Sequence, residues 1–256
     1  MHRKIKQYIN KYADLGYGED HLLFAAHAAF PTGVTPHLLY QMWANFSVIP
    51  GREEVLDYVV VSDFLLSNLC RETSLGIFEI NGRIRTELLE ILEKDPRFGP
   101  KRLKELAYFL YQYIQKGNQE EDFAVFREAQ YWTALSVIAP QKAASEIGQI
   151  LSDKIKTSDS GEILRISSLL EQIGQKNQSF DNLVNYAQGL KDGLLDRPQA
   201  AQQAFNKVMV IGPEDPDQET FALKIPLMSS VVNPSTNFQK APSAAERTAL
   251  ERIAEA

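Results

Sequence analysis

The chain has 256 residues, a formal net charge of −6, 44% hydrophobic residues and 23% charged residues, the ordinary balance of a globular protein that can bury a substantial core. The acidic balance disfavours a dominant role in binding nucleic acid or an anionic membrane, because either role needs a basic field. The single cysteine, Cys70, excludes an intramolecular disulfide and fits a reducing cytoplasm. Residues 1–4 (MHRK) are followed by no long apolar run, so we expect a cytoplasmic protein with no signal peptide and no membrane span.

Residues 1–69 predict a series of short helices. Apolar residues recur at helical spacing in residues 3–15 and 20–30, and Thr35 with Pro36 predicts the N-cap and first position of a third helix. The segment 53–61 (EEVLDYVVV) is β-branched and fits either a short strand or a helix end. Ser62 is predicted to cap the helix SDFLLSNL, and the side chains predicted to face inward from it are Phe64, Leu65, Leu66 and Leu69.

A change of period after Cys70 predicts a β-hairpin. Phe78 and Ile80 alternate with Ile77, Glu79 and Asn81, the pattern of a half-buried strand. Gly82 then leads into RIRTELLEILEK, whose apolar residues return to helical spacing. Helix, helix, hairpin and helix in this order are typical of a winged-helix unit, so we predict a winged-helix-like domain at residues 1–98.

Residues 99–210 predict an antiparallel α-helical array, since helical patterns alternate with short polar joints. Residues 183–205 place small residues where two helices would meet and resemble one tetratricopeptide-type hairpin. Residues 211–256 are rich in proline, which predicts an irregular tail ending in a short helix. The predicted fold class is therefore mainly α, with one small β-hairpin in the winged-helix-like unit.

Candidate partner-binding residues fall into two groups. Arg71, Arg83 and Arg85 lie around the predicted hairpin and would form a basic stripe if the unit bound nucleic acid. The predicted recognition helix SDFLLSNL has no basic residue, however, which favours a structural or interdomain role. Tyr131 and Trp132 are predicted to pack against a neighbouring helix, with ligand stacking as the alternative, and Tyr186 lies in the tetratricopeptide-like pair.

The sequence predicts no catalytic, metal or cofactor site. His21, His27 and His37 are close in sequence but lack the spacing and companion ligands of a zinc site, so packing or local hydrogen bonding is the favoured interpretation. Cys70 follows an apolar helix, which favours a small buried hydrophobe over a nucleophile.

Three segments resemble a known class of bacterial proteins: residues 21–46, residues 59–72 (VVVSDFLLSNLCRE) and residues 78–99 (FEINGRIRTELLEILEKDPRFG). They are similar to the winged-helix portion that follows the nucleotide-binding domain in signal-transduction ATPases of the STAND class. In that class, a two-strand wing runs into a helix with an arginine and paired leucines, as in residues 78–89 here. The later segments 102–114 and 127–147 are similar to the helical continuation, so the resemblance covers about residues 20–210.

The resemblance implies bacterial conflict or signalling systems, including proteins linked to vWA and MoxR partners. No Walker loop, protease dyad, TIR-like segment or kinase-like segment accompanies it here. The chain would then be the connector or sensor part without its effector. We therefore expect a non-enzymatic adaptor or regulatory module whose partner is a protein, such as an effector or NTPase. A winged-helix nucleic-acid binder is the alternative, and an enzyme of unrecognised type is a third possibility.

Overall fold

A computed structural model describes residues 2–13, 18–117, 124–174 and 180–208. The predicted tail at residues 211–256 lies outside these ranges. The helices and strands are α1 (His2–Tyr12), α2 (Gly18–Ala28), α3 (Pro36–Phe46), α4 (Val59–Leu65), β1 (Cys70–Ser74), β2 (Ile77–Ile80), α5 (Gly82–Lys94), α6 (Pro100–Lys116), α7 (Ala124–Ile138), α8 (Pro140–Lys156), α9 (Ser160–Ile173), α10 (Asp181–Leu194) and α11 (Pro198–Phe205).

The predicted fold class is confirmed: the described chain is mainly α, with one two-stranded antiparallel sheet near the N-terminus. The chain divides into two compact units, Met1–Ile138 and Ala139–Ala256. Helix α6 packs on both α5 and α7 within the first unit, so the joint at residues 95–99 lies inside that unit. The domain boundary near residue 98 stays a prediction.

Helices α2 and α3 form the centre of the first unit. Residues Leu23–Ala28 of α2 are all buried, as expected for a helix that is apolar on nearly every side. Helix α3 begins as the sequence predicts, because the Leu38 backbone N–H donates to the Thr35 hydroxyl at 3.1 Å and Pro36 occupies the first turn.

Helix α4 begins earlier than the sequence suggests. The ambiguous valine run belongs to α4, which starts at Val59, so Ser62 is inside the helix and the prediction that it is the N-cap is wrong. The Ser62 hydroxyl donates to the Val59 carbonyl instead. Phe64 and Leu69 are buried as predicted, but Leu66 is 86% exposed, so its predicted inward orientation is wrong.

The β-hairpin, which we call the wing, comprises β1 and β2. Cys70 pairs with Ile80, Arg71 with Glu79, and a bulge separates Glu72 from Ser74. Gly76 at the tip has φ +72°, a conformation that glycine adopts without strain. On its other side, β2 is joined to the segment between α2 and α3, because Val34 and Phe78 exchange two backbone hydrogen bonds of 2.8 Å.

The second unit contains a row of helices in which α9 packs on α8, α10 on α9 and α11 on α10. Its buried side chains include Ile147, Leu151, Ile163, Ile166, Leu170, Phe180, Leu183 and Ala187. The α10–α11 approach is close at Gly189, where an added Cβ would lie 2.4 Å from the Phe205 ring. A small residue is therefore required at this crossing, as the sequence pattern indicates.

Candidate protein-docking surface

Exposed apolar side chains are concentrated around α4. Nine large hydrophobic side chains are exposed among the described residues, and five of them lie between residues 48 and 66: Val48, Val55, Tyr58, Val59 and Leu66. We call these five side chains the α4 surface. Because exposed apolar patches often mark interaction sites, this concentration of exposed apolar side chains along one segment makes it a candidate.

The loop before α4 holds the first part of this surface in a fixed geometry. Val48 and Val55 form an isolated antiparallel bridge, which places their side chains on the same face. The Leu56 N–H donates to the Ser47 carbonyl at 3.0 Å. Trp43 supports the loop from below, since its indole N–H donates to the Leu56 carbonyl at 2.8 Å.

Tyr58 continues the surface towards α4. Its ring lies edge-on to the Trp43 ring, with the centroids 6.4 Å apart, while 63% of the residue remains exposed. One side of the tyrosine is therefore anchored, and the other side is open to solvent.

Helix α4 carries the remainder of the surface. Val60, Val61 and Phe64 face the core, so Val59 and Leu66 lie on the opposite side, two helical turns apart. The wing supports the helix, because the Cys70 thiol contacts the Phe64 carbonyl at 3.3 Å. Burial raises the pKa of Cys70 to about 11, so this thiol stays protonated and acts as a packed donor.

The segment that carries the α4 surface is rich in carboxylates. Residues 48–66 contain four acidic residues, Glu53, Glu54, Asp57 and Asp63, against one basic residue, Arg52. Arg52 is already occupied, since its guanidinium forms ion pairs with Glu19 and Asp20. Acidic side chains therefore outnumber basic ones four to one in this segment.

The three arginines predicted as partner-binding residues occupy different environments. Arg85 is buried and donates to the Phe30 carbonyl at 2.7 Å, and burial lowers its pKa to about 10. Arg85 is therefore part of the interior. Arg71 and Arg83 are exposed, and Arg71 lies across the hairpin from Glu79. Burial raises the pKa of Glu79, and the charge of Arg71 partly opposes this increase.

Tyr131 and Tyr186 each pack against another aromatic ring of their own unit. Tyr131 is half-buried, and its ring centroid lies 6.0 Å from that of Tyr111. Trp132 is buried, with 2% exposure. Tyr186, in the second unit, packs on Phe205 with ring centroids 5.8 Å apart, and burial raises its pKa. These contacts are those of packed side chains.

The histidines make separate local contacts. His21 bonds to Asp63 at 3.0 Å, His37 to the Tyr113 hydroxyl at 2.8 Å, and buried His27 to the Leu23 carbonyl at 2.7 Å. Within the described ranges, no group of three or more His, Cys, Asp or Glu side chains could hold a metal ion.

Sequence reasoning missed Val48, Val55, Tyr58 and Val59 as surface residues. The available signal was the mixture of acidic and apolar residues in EEVLDYVVV, where three acids among β-branched residues indicate a face open to water.

No helix in the described part of the chain combines the length and the apolar character that a membrane span requires. Comparison of the chain with known proteins gives no match to a family model, to a curated protein or to a solved structure.

Proposed function

We propose that this chain is a non-enzymatic adaptor or regulatory module, and that it binds a protein partner through the α4 surface. The bacterial signalling or conflict setting implied by the resemblance of residues 20–210 belongs to the same proposal. The observation that carries it is the group of five exposed apolar side chains on α4 and its preceding loop, in a segment where acidic residues outnumber basic ones.

The element order supports a winged-helix interpretation of the first unit. Helices α2, α3 and α4 precede the wing, and α5 follows directly after β2. In this arrangement, α4 occupies the place of the recognition helix. A recognition helix that reads DNA presents basic and polar side chains to phosphates and bases. Helix α4 has the sequence VVVSDFL and carries an acid but no base.

The apolar composition of the surface favours a protein as the ligand. Protein interfaces have apolar, aromatic-rich centres with polar rims, and Tyr58 with the two valines of the bridge fits such a centre. A phosphate backbone near Glu53, Glu54 and Asp57 would instead meet like charge. Of the three arginines predicted to form a basic stripe for nucleic acid, Arg71 and Arg83 are exposed and Arg85 is buried.

Comparative affinity capture from the native host tests this proposal. The full chain would be compared with V55S/Y58S, which removes apolar side chains from the α4 surface without changing charge. The matched control is Y108S/V125S, because Tyr108 and Val125 are each 55% exposed on α6 and α7. We expect mass spectrometry to identify a protein that the wild type and the control retain and that V55S/Y58S loses.

Nucleic acid would be measured in parallel with a fluorescent DNA duplex. Binding that weakens steeply with salt and disappears in R71A/R83A, together with no protein dependent on the α4 surface, would support the nucleic-acid alternative instead. An enzymatic activity lost on changing one defined side chain would contradict the non-enzymatic part of the proposal.

A further inference from the structure

We propose that the occupant of the α4 surface is a basic amphipathic segment of the partner protein, with apolar side chains on one face and Lys or Arg beside them. This inference rests on the proposed function and specifies the chemistry of the partner. Its two supports are the fixed, exposed apolar side chains of the α4 surface and the excess of exposed acidic side chains in the same segment.

The apolar centre is small and fixed. The Val48–Val55 bridge holds two side chains side by side, and Tyr58 is braced on the Trp43 ring. Val59 and Leu66 extend this centre by about 10 Å along α4. A strip of this length accommodates a few apolar side chains of a single segment, as in grooves that bind short amphipathic elements. Tyrosine at such a centre contributes strongly to binding.

The acidic residues of the α4 region favour basic residues beside the apolar face of the partner segment. Glu53, Glu54 and Asp57 are exposed, and the only base between residues 48 and 66, Arg52, is already bound to two carboxylates. Asp57 uses one oxygen to accept the Val59 N–H at 3.0 Å, and a carboxylate retains further acceptor positions. Lysine or arginine on the partner would satisfy these groups, whereas an acidic segment would be repelled.

A peptide selection on the full chain tests the inference without assuming a partner. The probe is a displayed library of random 16-residue peptides selected on the wild-type chain, and each selected peptide is then tested for binding to V55S/Y58S. Thermal unfolding of each variant would establish that it is folded. We expect the selected peptides to have a higher net positive charge and more apolar residues than the starting library.

Titration of the best selected peptide then measures how much charge contributes to its affinity for the chain. In E53K/E54K, we expect binding to weaken about tenfold, because two favourable exposed pairs become repulsive. The control D153K makes the same charge change per residue on α8, where Asp153 is exposed and pairs with Lys156, and should leave binding unchanged. Added salt should weaken wild-type binding and affect E53K/E54K less.

Three results would overturn the inference: neutral or acidic selected peptides, peptides that bind V55S/Y58S equally well, or no enrichment. Each can be separated from failure of the proposed function. Capture of a host protein by the wild type and Y108S/V125S, but not by V55S/Y58S, would still support docking at this surface through a partner of different chemistry.

Discussion

His27 makes the stability of the first unit depend on pH. The residue is 1% exposed, its Nδ1–H donates to the Leu23 carbonyl at 2.7 Å, and its ring lies between those of Phe46 and Phe98. The neighbouring charges are Arg102 and Arg97, which disfavour a second proton, and Asp95, which favours one. Asp95 is itself bonded to Arg97.

Burial dominates and lowers the pKa of His27 from 6.5 to about 4. Since the folded state holds the neutral ring, its stability advantage is fully present above the unfolded pKa of 6.5 and is lost as the pH falls towards 4. The difference corresponds to about 3 kcal/mol of unfolding free energy across this interval.

Urea unfolding followed by tryptophan fluorescence measures this effect in the relevant unit. The chain has two tryptophans, Trp43 and Trp132, and both lie in the first unit. The wild type and His27→Leu would be compared from pH 7 down to about pH 4.5. The wild type should lose unfolding free energy more steeply than the variant, while the carboxylates common to both contribute equally.

Parallel pH profiles for the wild type and His27→Leu would refute this reasoning, whatever their absolute stabilities. Such a result would mean that the buried ring accepts a proton without loss of stability.

Three further predictions concern packing and reactivity. Gly189→Ala should destabilise the second unit by about 1–3 kcal/mol, because the added Cβ would overlap the Phe205 ring. Gly193→Ala should stabilise the unit by up to about 1 kcal/mol, because the space there is open and alanine favours a helix. Thermal unfolding measures both effects. Arg85→Ala should lower the free energy of unfolding in urea by about 3 kcal/mol, because it removes a buried, hydrogen-bonded side chain. Arg83→Ala, at an exposed position, should change that free energy by less than about 0.5 kcal/mol. The raised pKa of Cys70, about 11, should slow its reaction with a chromogenic disulfide at pH 8 by at least about tenfold relative to a free thiol.

Each of these predictions has a contrary result. Equal effects of the two alanine substitutions would contradict the close approach of α10 and α11. Equal effects of the two arginine substitutions would contradict the assignment of Arg85 to the interior and Arg83 to the surface. A Cys70 reaction as fast in native protein as in urea would show that the thiol is not protected.

Local signals in the sequence were sufficient for three features of the fold. Thr35 and Pro36 define the start of α3 because a hydroxyl cap and a proline act within a single turn. The alternation at residues 77–80 coincides with β2, in which Ile80 is buried and the other three residues are half-buried. Gly189 indicates the close approach of α10 and α11, because a larger residue there would overlap the Phe205 ring.

The α4 region could not be predicted in the same way. A valine run is compatible with a strand or a helix, and tertiary packing of Val60, Val61 and Phe64 decides between them. The burial of Arg85 also depends on a carbonyl 55 residues away in sequence, that of Phe30. Hydropathy places arginine at the surface, because a buried guanidinium requires a partner that a local pattern does not reveal.

The bridge between Val34 and Phe78 affects how readily a partner can bind. Strand β2 has a neighbour on each side, β1 and Val34, so the wing cannot swing away without breaking backbone hydrogen bonds. The wing in turn holds the end of α4 through Cys70. A binding surface assembled before its ligand arrives loses little conformational freedom on association, so more of the contact energy is retained as affinity. For the docking proposed at α4, this means that the helix is already ordered before a partner arrives, so any folding that accompanies binding would have to occur in the partner.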